Sequence, residues 1–454
     1  MNPLRDILRA APDSSGRWLN DPAGTVPLAE IAAATCLGTD AAVLAGRSVV
    51  LVTGRQRAAV MALVALDGLV RRLVLVPPDI ATDRLGTILA DATADAIVTD
   101  RDPAAFAGFG VPVLEITWES HAVPEARHSA HDTEWVLLTS GTTGPPKLVV
   151  HSREGLTGAI APPRPGDAPP VWGTFYDIRR YGGLQILFRA LLGTGSLVLA
   201  DAAEPVADHL ARLGAQGVTH LSGTPSQWRR ALMSPAIGRI APRYVRLSGE
   251  IADQAVLDAL RRAFPDAAIG HAYASTEAGV GFEVTDGREG FPAALVHGSG
   301  PVAMKVVDGS LRLRSTRTAT RYVKGGMALA DADGFVDSGD MVEQRGDRFF
   351  FAGRRGGIVN VGGLKVHPEE VEAAINRHDA VRMSLVRARP SPITGAIVVA
   401  DVVLADGAGT DEAALKRDIV AFCRGALPPH KVPAQIRFVP ALAMAPTGKI
   451  ARHG

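Results

Sequence analysis

Apolar residues follow two rhythms along this chain. Ser48 to Thr53 is a short β-branched run ended by Gly54. An amphipathic segment continues to about Arg72, and Leu73-Val74-Leu75-Val76 leads into Pro77-Pro78. Strand, helix, strand is the repeating unit of a parallel sheet. The same order returns between 196 and 273. Strand-like runs at 197–199, 218–221, 245–247 and 268–271 are separated by helical segments of roughly ten residues. This alternation predicts an α/β fold with helices on both faces of mostly parallel, doubly wound sheets.

The pattern changes after about Gly290. Ala303 to Val307, then Asp308-Gly309, then Leu311 to Arg314 predicts a hairpin with a primed turn, and short strands continue to Phe351. A β-rich section therefore closes a large first domain, residues 1–353. Gly353-Arg354-Arg355-Gly356-Gly357 reads as a flexible junction, with the hinge at 354–357. Residues 358–454 predict a small α+β domain. It has a helix from about Pro368, strands near 382–388 and 396–404, a helix near 411–427 and a strand near 436–440. Pro368 suits a first helical turn, and Glu369 and Glu370 favour its positive end.

Composition narrows the function classes. Hydrophobic residues make up 47% of the 454 positions and charged residues 21%, which fits a globular chain and not a disordered one. Forty-eight basic against 47 acidic side chains leave a formal charge of +1, so no nucleic-acid partner is expected. No run reaches the roughly 18 uninterrupted apolar residues of a membrane span; Leu184 to Ala200 is broken by Arg189, Gly193 and Gly195. The N-terminus carries charges of both signs without an apolar core, unlike a secretory signal. Two distant cysteines, Cys36 and Cys423, argue against a disulfide framework or a zinc site. The expected location is the cytoplasm.

The strongest chemical signal is Leu137-Leu138-Thr139-Ser140-Gly141-Thr142-Thr143-Gly144-Pro145-Pro146-Lys147. An apolar strand runs into hydroxyls and glycines closed by a lysine. Glycines let backbone N–H groups approach an anion, hydroxyls add donors, and lysine adds charge. A phosphate-gripping loop is the natural reading. It is not a Walker A loop, because two prolines follow Gly144 and Leu148 follows Lys147.

This segment resembles the phosphate loop of the adenylate-forming superfamily, which includes acyl-CoA synthetases, peptide-synthetase adenylation domains and beetle luciferases. Further motifs occur in that family's order. Tyr273-Ala274-Ser275-Thr276-Glu277 is similar to Y-G-x-T-E, with Ala274 in place of glycine. Asp337-Ser338-Gly339-Asp340 resembles T-G-D, and Gly353-Arg354 onward to Glu372 resembles G-R-x-x-x…G-G-x-x-x-x-P-x-E-x-E. Pro446-Thr447-Gly448-Lys449-Ile450 resembles the C-terminal P-x-T-x-x-G-K. The resemblance covers the chain from about residue 30.

It implies roles. Thr139 to Gly144 and Lys147 would bind the ATP phosphates. Glu277, a hard oxygen donor, would hold the Mg²⁺ that accompanies ATP, and Thr276 would hydrogen-bond the α-phosphate. Tyr273 would offer a face to adenine; alone, it would read as a core tyrosine. The Ser248-Gly249-Glu250 turn would line the adenine pocket. Asp340 would accept both ribose hydroxyls, with Arg354 beside them. Lys449 would stabilise the charge that develops when a carboxylate attacks the α-phosphate. Gly362 and Gly363 would enter the thiol step after the small, mobile domain turns.

Three features depart from the family pattern. Gly356 stands where relatives commonly carry Asp or Lys. Arg180, in Arg179-Arg180-Tyr181-Gly182-Gly183, replaces a histidine at the edge of the acyl pocket, to which Tyr181 and Gly182 are also assigned. Facing the pocket, it would favour a polar or anionic acid; pointing away, it would pair with a carboxylate such as Asp177. Only 138 residues precede Thr139, which suggests a trimmed first subdomain. His151 reads as structural. The expected activity is ATP-dependent activation of a small carboxylic acid as acyl-adenylate, then transfer to a thiol. Coenzyme A is favoured because no carrier domain follows Lys449. A stand-alone enzyme loading a separate carrier protein is one alternative, and a nucleotide-binding module without catalysis is another.

Overall fold

Two large sheets carry most of the chain, and their strands follow the apolar runs. The computed structural model describes all positions except 1, 12–15, 118–120, 123–130, 140–145, 163, 165, 299, 326–327, 392–394, 446 and 452–454, with backbone only at 34, 35, 38–40, 121 and 122. The first sheet has seven strands: Arg321–Tyr322, Lys147–His151, Glu134–Thr139, Arg72–Val76, Ser48–Val52, Ala96–Thr99 and Val113–Glu115. Its five-strand centre and far edge are parallel, while Lys147–His151 and Arg321–Tyr322 add on antiparallel. The second sheet has eight strands, with Tyr244–Ser248 and Ala268–Ser275 beside each other in parallel.

Both faces of each sheet are buried, which is why the strands read as continuous apolar runs. Val49 and Leu51 face one core while Val50 and Val52 face another. The first of these cores also takes Leu19 and Leu197 from the second sheet, together with the helices Gln56–Leu66 and Tyr181–Leu192. The sheets thus share one helical middle layer. Helices Val206–Ala215, Pro225–Leu232 and Gln254–Ala263 cover the outer face of the second sheet.

One expectation changes here. The segment after Gly54 is helical only over Gln56–Leu66 and is not amphipathic: every residue but Met61 is buried. A helix held between two sheets has no solvent face. Its polar N-terminal residues are satisfied internally: the Gln56 amide donates to the Ala200 carbonyl at 2.6 Å and accepts from the Ile178 N–H at 2.8 Å.

The β-rich section is a five-stranded sheet, and its Ala303–Val307/Ser310–Arg314 hairpin turns at Asp308 (φ 52°) and Gly309 (φ 75°). Positive φ at both turn residues is the primed geometry that Asp-Gly predicts. Beyond it, helices Pro368–Ile375 and Glu412–Ala426 pack on a three-stranded sheet over a separate core that includes Val366, Val371, Val402 and Ile419. A short hairpin, Val359–Val361 with Leu364–Val366, carries Gly362 and Gly363 at its turn. Both cysteines are buried and free.

Candidate active site

The carboxyl ends of Tyr244–Ser248 and Ala268–Ser275 open onto a cleft of about 1570 Å³, the place where open α/β sheets receive ligands. The cleft brings together Thr139, Lys147, Arg180, Tyr181, Gly182, Ser248, Gly249, Glu250, Tyr273, Thr276, Glu277, Asp340, Arg354, Gly356, Gly363 and Lys449. Thr139 and Lys147 are direct cross-strand partners, so both ends of the expected phosphate loop sit side by side. Ser140, Gly141, Thr142, Thr143 and Gly144 lie outside the described residues. Gly362 is at the tip of the Val359–Val366 hairpin, with φ 58°, and does not line the cleft.

At one end Asp340 joins two partners. It faces Arg354 across the antiparallel pair of Val336–Arg345 and Arg348–Arg354. The Arg354 Nε donates to one carboxylate oxygen at 3.0 Å and the Tyr273 hydroxyl to the other at 2.6 Å. Asp340 holds the Arg354 guanidinium above its ordinary range, against the opposing effect of burial. Burial and the Asp340 charge together push the Tyr273 phenol well up, so it stays a donor. The Tyr273 ring lies nearly parallel to Phe282 and Phe351, with centroids 5.6 and 5.2 Å away. A carboxylate has about four lone-pair sites, so Asp340 retains acceptor capacity for two further hydroxyls.

Lys449 enters from the opposite side. The Thr224 hydroxyl donates to the Gly448 carbonyl at 2.6 Å. Glu250 accepts from the Ile450 N–H at 3.2 Å and, through its other oxygen, from the Ser226 N–H at 2.9 Å. Gly249 has φ 88°, and a β-carbon there would lie 3.5 Å from Lys449 Cε. The positive φ is what favours glycine there, since a β-carbon at that distance would make only ordinary van der Waals contact. Burial lowers the Lys449 ammonium from its ordinary range; Arg354 adds to this, while Glu250 and Asp340 oppose it. A second seat lies nearby, where Asn376 donates to Asp253 at 3.2 Å and Arg229 holds both Asp253 oxygens at 2.6 Å.

Glu277 lines the cleft, and its carboxylate has no hydrogen-bond or ion-pair partner among the described residues. No group of three metal-ligating side chains occurs among the described residues. This donor set fits a Mg²⁺ carried in by a nucleotide, which takes one or two carboxylates and completes its shell with phosphate oxygens and water.

The start of the Tyr181–Leu192 helix is tightly fixed. A β-carbon at Gly183 would come 2.2 Å from the Asp177 carbonyl oxygen. Asp177 is chelated by Arg179, at 2.8 and 2.5 Å. Arg180 instead pairs with Asp79, so its charge is matched within the protein and the proposed Asp177 pairing is not formed. His151 is buried against the Tyr181 ring, and burial lowers it to about 4.

Thr224 and Ser226 were not singled out from sequence. Thr224-Pro225-Ser226-Gln227 has the hydroxyl, proline and glutamine of a helix start, and the capping box is formed. That signal locates the helix and is silent about Gly448.

Comparison with known proteins gives a consistent result. Residues 32–313 match the family profile described as AMP-binding enzyme, and residues 370–449 match that of the AMP-binding enzyme C-terminal domain. A probable non-canonical nonribosomal peptide synthetase, CymA of Salinispora arenicola, is 27% identical over 83% of this chain, which spans 5% of that protein. The 2-succinylbenzoate–CoA ligase of Salmonella typhimurium is 27% identical over 75% of this chain and 73% of its own length. Among solved structures, the anthranilate CoA ligase AuaEII with anthranoyl-AMP superposes with a TM-score of 0.82 at 19% identity, covering 99% of this chain and 95% of that one. The amide bond synthetase McbA from Marinactinospora thermotolerans gives 0.79 at 22%, covering 99% and 98%. At these identities the structural likeness is one of fold.

Proposed function

Because the chain belongs to the family of AMP-binding enzymes, we propose that it is an AMP-forming acid–thiol ligase, with coenzyme A as the thiol. The observation that carries this reading is the docking of half-buried Lys449 against Gly249, in the same cleft as Asp340, Arg354 and Thr276. A carboxylate oxygen attacks the α-phosphorus of ATP, the bond to the β-phosphate oxygen breaks, and pyrophosphate leaves. Lys449 and Thr276 stabilise the charge that develops on the reacting groups. Asp340 and Arg354 hold the ribose, the Ser248-Gly249-Glu250 turn and the Tyr273 stack border the base, and Thr139 to Gly144 with Lys147 receive the phosphates. Glu277 would hold the magnesium ion, which neutralises phosphate charge when bound.

A thiol then attacks the acyl carbonyl and AMP leaves. This step requires Lys449 to withdraw. We place the turn at 354–357, between a large unit, residues 1–353, and a small one, residues 358–454. In the present state Gly356 has open space around it, so no contact here demands glycine. The Gly362-Gly363 hairpin is the surface that would replace Lys449.

A second reading, loading of a separate carrier protein, is favoured by the match to a peptide synthetase along most of this chain. A silent nucleotide-binding module is disfavoured by the joint presence of Lys147, Glu277, Asp340 and Lys449 in one cleft. Among the described residues no helix is long and apolar enough to cross a membrane. Two buried free thiols fit a reducing compartment, and we assign the protein to the cytoplasm.

The test is pyrophosphate exchange across aliphatic, aromatic and dicarboxylic acids, followed by AMP release with coenzyme A or with carrier proteins. Exchange with no acid would remove the ligase reading. Turnover with a carrier and none with coenzyme A would select the second.

A further inference from the structure

Beside the cleft, buried Arg246 and half-buried Arg189 lack a matching number of acids. Arg246 lies in the strand Tyr244–Ser248, two residues from Ser248, and alternation puts both on the same face. That face is opposite Val245 and Leu247, which belong to the outer core. Arg246 is 6% exposed, and its guanidinium makes no hydrogen bond among the described residues. Its nearest acid oxygen is on Glu283, 3.7 Å from Nε. The Glu283 carboxylate already accepts the Tyr244 hydroxyl.

Arg189 approaches from the other side of the layer. It lies eight residues after Tyr181, on the same face of the helix. It has no hydrogen bond or ion pair among the described residues, only a cation–π contact with Trp172 at 5.8 Å, and its Nε is buried without a partner. Burial and then Arg246 lower its guanidinium to about 10. Ser222, the cross-strand partner of Arg246, has a buried hydroxyl with no partner. Two guanidiniums therefore share one carboxylate in a place where unpaired charge is costly.

Tyr176 and Tyr181 line the cleft, which Arg246, Arg189 and Ser222 do not, and both tyrosines feel the Arg246 charge. The Tyr176 hydroxyl donates to the Ser248 carbonyl at 3.0 Å. The rise from Ser248 to Arg246 is roughly 7 Å, the length of a short carbon spacer.

We propose that Arg246, Arg189 and Ser222 form a subsite for a distal carboxylate, so that the acid activated at Lys449 is a short dicarboxylic acid. This rests on the ligase reading above and names its substrate class. It moves specificity from Arg180, whose charge Asp79 matches, to two arginines that share the single Glu283 carboxylate.

The experiment compares succinate, glutarate and adipate with butyrate, valerate and hexanoate, by pyrophosphate release and by calorimetric binding to the whole protein. At least one diacid should exceed its matched monoacid in kcat/KM by roughly tenfold to a hundredfold, the scale of a charge-assisted pair. Arg246→Met and Arg189→Met should invert that ranking. Glu283→Gln removes the competing carboxylate and should sharpen the diacid preference, and it decides the matter if an arginine variant fails to fold. Saturable diacid binding, lost in the arginine variants, with no pyrophosphate from any acid would keep the subsite and reject the ligase reading. Preference for the monoacid, or a ranking unmoved by all three substitutions, would overturn the subsite.

Discussion

The Thr224 hydroxyl donates to the carbonyl of Gly448 at 2.6 Å, so the residue just before Lys449 is held by a helix cap 224 positions away. Glu250 clasps the residue just after it. Two polar contacts thus bracket the lysine without touching its ammonium. Thr224→Val and Glu250→Gln should each slow adenylation by about fivefold to tenfold, the effect of one net hydrogen bond. Thioester formation from pre-made acyl-adenylate should remain near the unmodified rate. Single-turnover measurement of the two half-reactions checks this, and equal slowing of both would assign these residues to general stability.

Lys449→Ala should lower adenylation by about 10²–10³-fold, the scale of removing one transition-state donor. Thiol transfer from supplied acyl-adenylate should largely survive. Equal loss in both steps would refute the division of labour.

Gly356→Pro should retain pyrophosphate exchange and impair thiol transfer, because proline fixes φ near −65° and removes an N–H. Gly356→Ala should fold normally, since a β-carbon there meets open space. Full overall turnover by the proline variant would place the pivot elsewhere.

His151 gives a pH signature. Burial lowers its folded-state value from 6.5 to about 4. The unfolded chain therefore takes up the proton first as pH falls. The contribution to stability is complete above about pH 6.5 and is lost progressively down to about pH 4, by about 3 kcal/mol. Denaturant midpoints between pH 7 and pH 4 should show this slope, and His151→Phe should flatten it.

Gly183→Ala should destabilise the fold by about 1–3 kcal/mol, as overpacking does, because its β-carbon would meet the Asp177 carbonyl oxygen at 2.2 Å. The same shift would displace Arg180 and Tyr181. An unchanged melting midpoint would mean that this helix start can move freely.

The strands and the Asp308-Gly309 turn were legible because apolar runs and turn chemistry are local properties. The Gln56–Leu66 helix was misjudged because burial on every side leaves no polar stripe to read. The Thr139–Lys147, Tyr273–Glu277 and Lys449 segments were legible because the chemistry needs those residue types in short order. Three partnerships had no local trace: Tyr273 with Asp340, Thr224 with Gly448, and Arg180 with Asp79. Each joins residues that only the folded chain makes neighbours. Arg246 was hidden for the same reason, since one arginine inside a strand pattern carries no sign of what faces it.

The Asp340–Arg354 pair would also set which part of the candidate site stays still in the proposed domain turn. Arg354 is the last residue of its strand, hydrogen-bonded directly opposite Asp340, and the turn Arg355–Gly357 begins immediately after it. On the proposed reading, with the pivot at Gly356, everything upstream of the turn, including the grip on the sugar, would keep its place while the lysine departs. The enzyme would then hold the nucleotide by the end that does not react and exchange only the wall facing the end that does. The adenylate would wait in place between the two steps, and the machinery around its reactive bond would change without releasing it.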